Sequence, residues 1–156
     1  MLAALFEGRD PEVLIAQAVA RFRCISWDVL SRMPEIVVGG GPLDVVGAGE
    51  NDLHEQSKPC RVGECDAFFS HSWHDDAHQK FDALRDWCGE FENANQRQPQ
   101  LWFDKVCIDQ TNIQADLQCL PIFLAGCNLL LVISGSTYTS RRRQRSIFKC
   151  KFRMQN

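Results

Sequence analysis

The chain has 156 residues, 45% of them hydrophobic, which is enough for about one domain with a core of its own. Its formal net charge of −3 hides a segregation: residues 141–156 carry seven Lys/Arg and no Asp/Glu, leaving ten basic against twenty acidic residues in 1–140, a net of −10. The longest apolar stretch, residues 120–135, is interrupted by Gly126, Cys127 and Asn128 and falls short of the roughly 20 residues of a membrane span, so no transmembrane segment is expected.

Asp10 and Pro11 form a helix entry, Asp as the N-cap and Pro at the first helical position. From there Leu14, Ile15, Ala18, Val19 and Phe22 fall on one face. A second helical piece over residues 27–33 is expected to stop at Pro34, which biases the residue before it away from helix. Ile36, Val37 and Val38 then read as a short extended run. The glycines at 39–41, followed by Pro42 and the polar stretch 47–59, read as a connector. A phosphate-binding loop is disfavoured there, because no Gly-Lys-Ser/Thr ending and no clear helix follow.

Residues 65–72 form the first buried strand, ending in Ser70, His71 and Ser72. Next comes an amphipathic helix over 75–92 with Ala77, Phe81, Leu84, Cys88 and Phe91 in one stripe. A second strand is expected at 101–105 and a second helix at 113–126, kinked or split by Pro121. The third strand is 128–134. Two successive strand-helix-strand crossovers indicate α/β architecture, a parallel sheet with helices on both faces. Ligand sites in such sheets lie at the carboxyl ends of the strands.

The runs Asp66-Ala67-Phe68-Phe69-Ser70-His71-Ser72, Leu101-Trp102-Phe103-Asp104-Lys105-Val106-Cys107-Ile108-Asp109 and Asn128-Leu129-Leu130-Leu131-Val132-Ile133-Ser134, the last leading to Ser136-Thr137-Tyr138-Thr139-Ser140, carry a resemblance. Together they resemble the Toll/interleukin-1 receptor (TIR) family, in the divergent form common in protist genomes, over about half of the chain. The resemblance implies a flavodoxin-like sheet with these strands in the order second, first, third, and two further strands that the sequence does not supply. It also implies TIR-TIR assembly and, in some members, cleavage of NAD.

By the same resemblance, Ser70, His71, Ser72 and Trp73 stand beside the nucleotide pocket of NAD-cleaving members, with Asp104 and Lys105 on the same sheet edge; NAD is thus a possible ligand, and no resident cofactor is expected. Asp104 and Lys105 have a plainer reading as end-of-strand charges. The loop of Val106, Cys107, Ile108 and Asp109 stands where TIR domains dock a neighbour, although Val106 and Ile108 could equally pack beneath it. The glutamate of NAD-cleaving members, in a Trp-x-x-x-Glu pattern after the third strand, is missing: no Asp or Glu follows Asp116. Without that carboxylate, cleavage of the glycosidic bond is not expected.

His71, His74 and His78 with Asp75 and Asp76 could in principle hold a metal, but two of these residues are ordinary helix-start acids, and no metal is assigned. The eight cysteines contain no Cys-x-x-Cys pair, several sit in apolar runs and no secretory leader is expected, so they read as reduced, buried thiols in a cytoplasmic protein. The basic tail, 141–156, would bind nucleic acid weakly and without sequence preference; it reads either as such a patch or as an ending foreign to the domain, as from a shifted reading frame.

The sequence therefore divides into an N-terminal helical segment with its connector (1–59), a TIR-like α/β domain incomplete at its C-terminus (60–140) and a basic tail. Its expected role is signalling or scaffolding by contact with other TIR-like domains or with itself, and not at a membrane. An NAD hydrolase is the alternative; a phosphoacceptor receiver domain using Asp104 is a remoter one. With the third strand left as an open edge, self-association or partial folding is expected.

Overall fold

The computed structural model of the protein describes residues 10–38, 50–71, 76–134 and 146–151. The first helix, α1 (Pro11–Arg21), starts as its sequence requires: Pro11 opens it, and the Asp10 carboxylate accepts the Glu12 amide at 2.9 Å. Leu14, Ala18 and Phe22 are buried, but Ile15 and Val19, expected on the same face, are half exposed. The chain then forms β1 (Arg23–Ser26), a strand without a legible pattern in the sequence, and the single helical turn α2 (Trp27–Leu30). Residues 36–38 are not extended. Pro34 opens a further helix, α3 (Pro34–Val38), because its fixed φ suits a first helical turn as well as it blocks the interior of one. Part of the expected connector is also ordered, as α4 (Glu50–Glu55) and the two-residue strand β2 (Lys58–Pro59).

The strand β3 (Ala67–His71) leads to α5 (Ala77–Asn95), whose N-cap Asp76 accepts the Gln79 amide at 3.0 Å. Gln96 ends α5 in the left-handed region, with φ of 56°, and returns its amide to the Glu92 carbonyl. The next strand, β4 (Gln100–Trp102), is shorter than expected, since residues 104–107 turn into a helix, α6 (Asp104–Cys107). After it α7 (Ile113–Ala125) is one continuous helix with Pro121 inside it, so of the expected kink or split the split does not occur. Pro121 has no N–H to give the Leu117 carbonyl, a loss tolerated on a helix turn where Leu117 is 47% exposed. The last two strands are β5 (Leu129–Ser134) and β6 (Ser146–Lys151).

These strands form one open sheet in the order β2-β1-β4-β3-β5-β6. Its centre is parallel, β4-β3-β5, in the expected order of second, first and third strand. The flanks are not: β1 joins β4, β2 joins β1 and β6 joins β5, all antiparallel. The fold is therefore mixed α/β, and β5 is no open edge, because β6 pairs with it from Leu129↔Lys151 to Ser134↔Ser146. The three regions set apart by composition share this sheet.

Period-two alternation distributes the strands' side chains between two cores. On one face Ala67, Phe69, Leu101, Leu131 and Ile133 pack under α2, α3 and α5. On the other, Phe68 and Trp102 stack at 4.3 Å between ring centroids and lie under α1 and α7, with Phe22 and Phe123. α6 serves both, sending Val106 to the first core and Cys107 to the second. Among the described residues no helix is long and apolar enough to cross a membrane.

Candidate functional site

The carboxyl ends of the three parallel strands form the edge where the sequence places its candidate pocket. Phe68 pairs with Trp102, where β4 ends just before Asp104 opens α6, while Ser70 and His71 pair with Val132 and Ile133 of β5. The backbone thus brings Ser70, His71 and Asp104 to one sheet edge. Ser72 and Trp73 lie outside the described residues, as do His74, Asp75, the glycines at 39–41 and the loop 135–145.

Asp104 and Lys105 do not close the second strand as a free charged pair. Asp104 opens α6 and accepts the Lys105 amide at 2.8 Å; burial pushes its carboxyl above the ordinary range. Lys105 is 7% exposed, and its ammonium donates to the Ile36 carbonyl at 2.9 Å. That bond places a cation on the C-terminal turn of α3, where the helix dipole and unpaired carbonyls favour it. A lysine held this way is a tertiary clasp between α3 and α6. His54 of α4 adds a contact between its Nδ1 and the Val106 carbonyl at 3.2 Å.

The loop expected to dock a neighbour is similarly committed. Val106, Cys107 and Ile108 are buried, so their apolar surface belongs to the protein's own core and offers a partner nothing. Asp109 remains accessible. Its carboxylate accepts the Thr111 amide at 2.9 Å and hydroxyl at 2.6 Å, and these bonds, with the Arg21 charge nearby, hold it below the ordinary carboxylate range. Beneath it Asp116, 1% exposed, accepts both the Asp109 amide at 2.7 Å and the Arg21 guanidinium at 2.5 Å. This triad ties α1, the loop and α7 together.

Two features were not singled out in the sequence. Lys80 is 3% exposed near the start of α5; its spacing to Ala83, Leu84 and Trp87 is the helical signal that marks it as facing the sheet. At the opposite, amino edge of the sheet, a cleft of about 710 Å³ lies between α5 and the start of β5, walled by Trp87, Phe91, Asn128 and Leu129, with Asp66 and Glu90 at its rim. Its polar groups are engaged: Asp66 accepts both Arg97 terminal nitrogens at 2.6 and 2.7 Å and the Gln100 amide at 2.8 Å. Asn128 donates to the Gly63 carbonyl at 3.1 Å, and the Arg97 guanidinium also lies 5.0 Å above the Phe91 ring.

Seven of the eight cysteines, Cys24, Cys60, Cys65, Cys88, Cys107, Cys119 and Cys127, are free thiols, six of them buried and Cys60 half-buried. Contact with Cys24 and burial push the Cys60 thiol up; contact with Cys127 and burial do the same for Cys65, and burial alone does so for Cys88. Thiols so protonated are poor nucleophiles. No cluster of three or more His, Cys, Asp or Glu suited to a metal occurs among the described residues.

Compared with family models, with curated proteins and with solved structures, the chain matches none of them.

Proposed function

We propose that the protein is a TIR-like domain that signals or scaffolds by protein contact. One observation carries this reading: five large apolar side chains, Val13, Ile15, Val19, Ile113 and Leu117, are exposed on α1 and α7, two helices packed against each other on one face of the sheet. Single exposed aliphatic residues are ordinary, but their concentration on one helix pair marks a contact surface. The parallel order β4-β3-β5 supports the TIR-like part of the reading, because it is the order that the resemblance implies. The seven free thiols accord with a reducing, cytoplasmic setting.

The carboxyl edge favours contact over catalysis. Lys105 is committed to α3 and Asp104 to the adjoining amide, so both charged side chains at this edge serve the fold's own contacts. The discriminating experiment incubates the purified full chain with NAD and follows free nicotinamide. No release above buffer is expected. Sustained release refutes the contact reading, and its loss in Asp104→Ala would move the function to the sheet edge.

A further inference from the structure

We infer that Cys24 and Cys60 form a thiol-disulfide switch: a low-molecular-weight disulfide of the glutathione class oxidises the pair, and the new bond locks the edge segment 50–60 onto β1. The two residues meet through strand register. β1 and β2 pair Cys24 with Lys58 and Arg23 with Pro59, and the Cys60 amide continues the ladder by donating to the Phe22 carbonyl at 2.9 Å. Cys60 therefore stands opposite Phe22 and diagonal to Cys24, positions that share one face of the sheet. Phe22 and Cys24 are buried in the second core, Cys60 packs against it, and the Cys24 and Cys60 thiols are in contact. Their remaining partners are weak acceptors for a thiol: Cys24 donates to the Gln100 side-chain oxygen at 3.4 Å and Cys60 to the Arg61 carbonyl at 3.5 Å.

Access selects this pair. Cys65 and Cys127 face each other across a parallel bridge, a spacing that also suits a disulfide, but they are 0% and 3% exposed, so a dissolved oxidant does not reach them in the folded chain. Cys60 is half-buried and lies beside a two-residue strand at the edge of the sheet, where a short ladder gives way easily to the small shift that a bond between diagonal residues requires. In the reduced chain that edge is held by polar contacts alone on this side: the Arg23 guanidinium donates to the Ser57 hydroxyl at 2.7 Å and to the Ser57 carbonyl. The reaction is a two-step exchange. The Cys60 thiolate attacks one sulfur of the small disulfide, whose S–S bond breaks and releases a thiolate; the Cys24 thiolate then attacks the Cys60 sulfur and releases the second. The two protons lost by the cysteines go to the two departing thiolates, so the protein gives up two electrons and the small disulfide becomes two thiols. Because contact and burial keep Cys60 protonated, the first step is slow, and the switch responds to sustained oxidation.

Incubation of the folded full chain with excess oxidised glutathione, followed by an acid quench and peptide mapping without reductant, tests the inference. A Cys24–Cys60 linkage is expected, with Cys65 and Cys127 still reduced. Cys24→Ala should instead retain glutathione as a mixed disulfide on Cys60, because the resolving sulfur is gone, whereas Cys60→Ser should leave Cys24 reduced; a merely structural role for either cysteine predicts no such split. The oxidised chain should melt about 5 °C or more above the reduced one, and dithiothreitol should return it to the lower value. Cys24 and Cys60 still reduced after prolonged incubation overturn the inference, and so does linkage of either one chiefly to another cysteine. Equal melting of the two forms overturns the lock on segment 50–60. The mapping needs no variant, so a misfolded Cys24→Ala leaves the test intact, and nicotinamide release bears only on the contact reading, which stands or falls separately.

Discussion

Removing the Asp116 carboxylate should loosen the seam between α1 and α7 more than any comparable surface change. Asp116 is 1% exposed and accepts two charge-assisted hydrogen bonds, from the Arg21 guanidinium and from the Asp109 amide. Such bonds contribute about 1.5–3 kcal/mol each, and breaking a buried pair from one side costs about 3–5 kcal/mol. The Arg21 side chain is 27% exposed and regains some hydration when its partner is lost, which puts Asp116→Ala at the lower end, about 2–3 kcal/mol. Asp116→Asn keeps an acceptor for the Asp109 amide and should cost about half as much. Urea unfolding followed by tryptophan fluorescence measures both, and a double-mutant cycle with Arg21→Met isolates the pair: the double variant should be less destabilised than the sum of the singles. A cost for Asp116→Ala below about 0.5 kcal/mol, or strict additivity with Arg21→Met, would refute the claim that this triad anchors α1.

Further tests address the sheet edge and the two cores. Burial raises the Asp104 carboxyl above its ordinary 3.8, so the folded state holds that proton more tightly than the unfolded one; the resulting stability is present in full below about 3.8 and is lost as pH rises through the folded value. Asp104→Asn should therefore gain stability over the parent from acid to neutral pH, and melting curves that keep a constant offset across that range would contradict it. Gly126 ends α7 with little room for a side chain, an added Cβ meeting the Ile122 carbonyl oxygen and the buried Phe22 ring at 3.2 Å each, so Gly126→Ala should destabilise by about 1–2 kcal/mol in urea unfolding. A neutral result would show that Phe22 yields. Trp102 is fully buried with an indole N–H that has no partner among the described residues, so Trp102→Phe, which deletes that donor along with some volume, should cost well under the roughly 3–5 kcal/mol expected for Trp102→Ala; equal costs in thermal melts would deny the orphaned donor any energetic weight.

The sequence by itself settled the elements whose signals are local. Asp10-Pro11 announced α1, three apolar runs announced the central strands, and the i, i+4, i+7 stripe announced α5, because caps, period and run length act within a few residues. It also placed Ser70, His71 and Asp104 on one edge, since parallel crossovers align strand ends. What the tertiary structure alone decided was everything that depends on a partner distant in the chain. Residues 23–26 and 146–151 have no alternating apolar pattern strong enough to declare a strand, and become β1 and β6 because β4 and β5 offer them unpaired edges. Lys105 reads as an exposed end-of-strand charge until α3, sixty-nine residues away, supplies a carbonyl for its ammonium. Val106 and Ile108 stay open in the sequence between a docking tip and packing beneath their loop until the tertiary structure buries both in the cores, and Ile15 and Val19 read as core until α7 leaves them half uncovered. Apolar character marks a side chain as able to be buried; which apolar side chains are buried depends on the helices that come to lie across the sheet, and that information is carried by contacts between residues far apart in sequence.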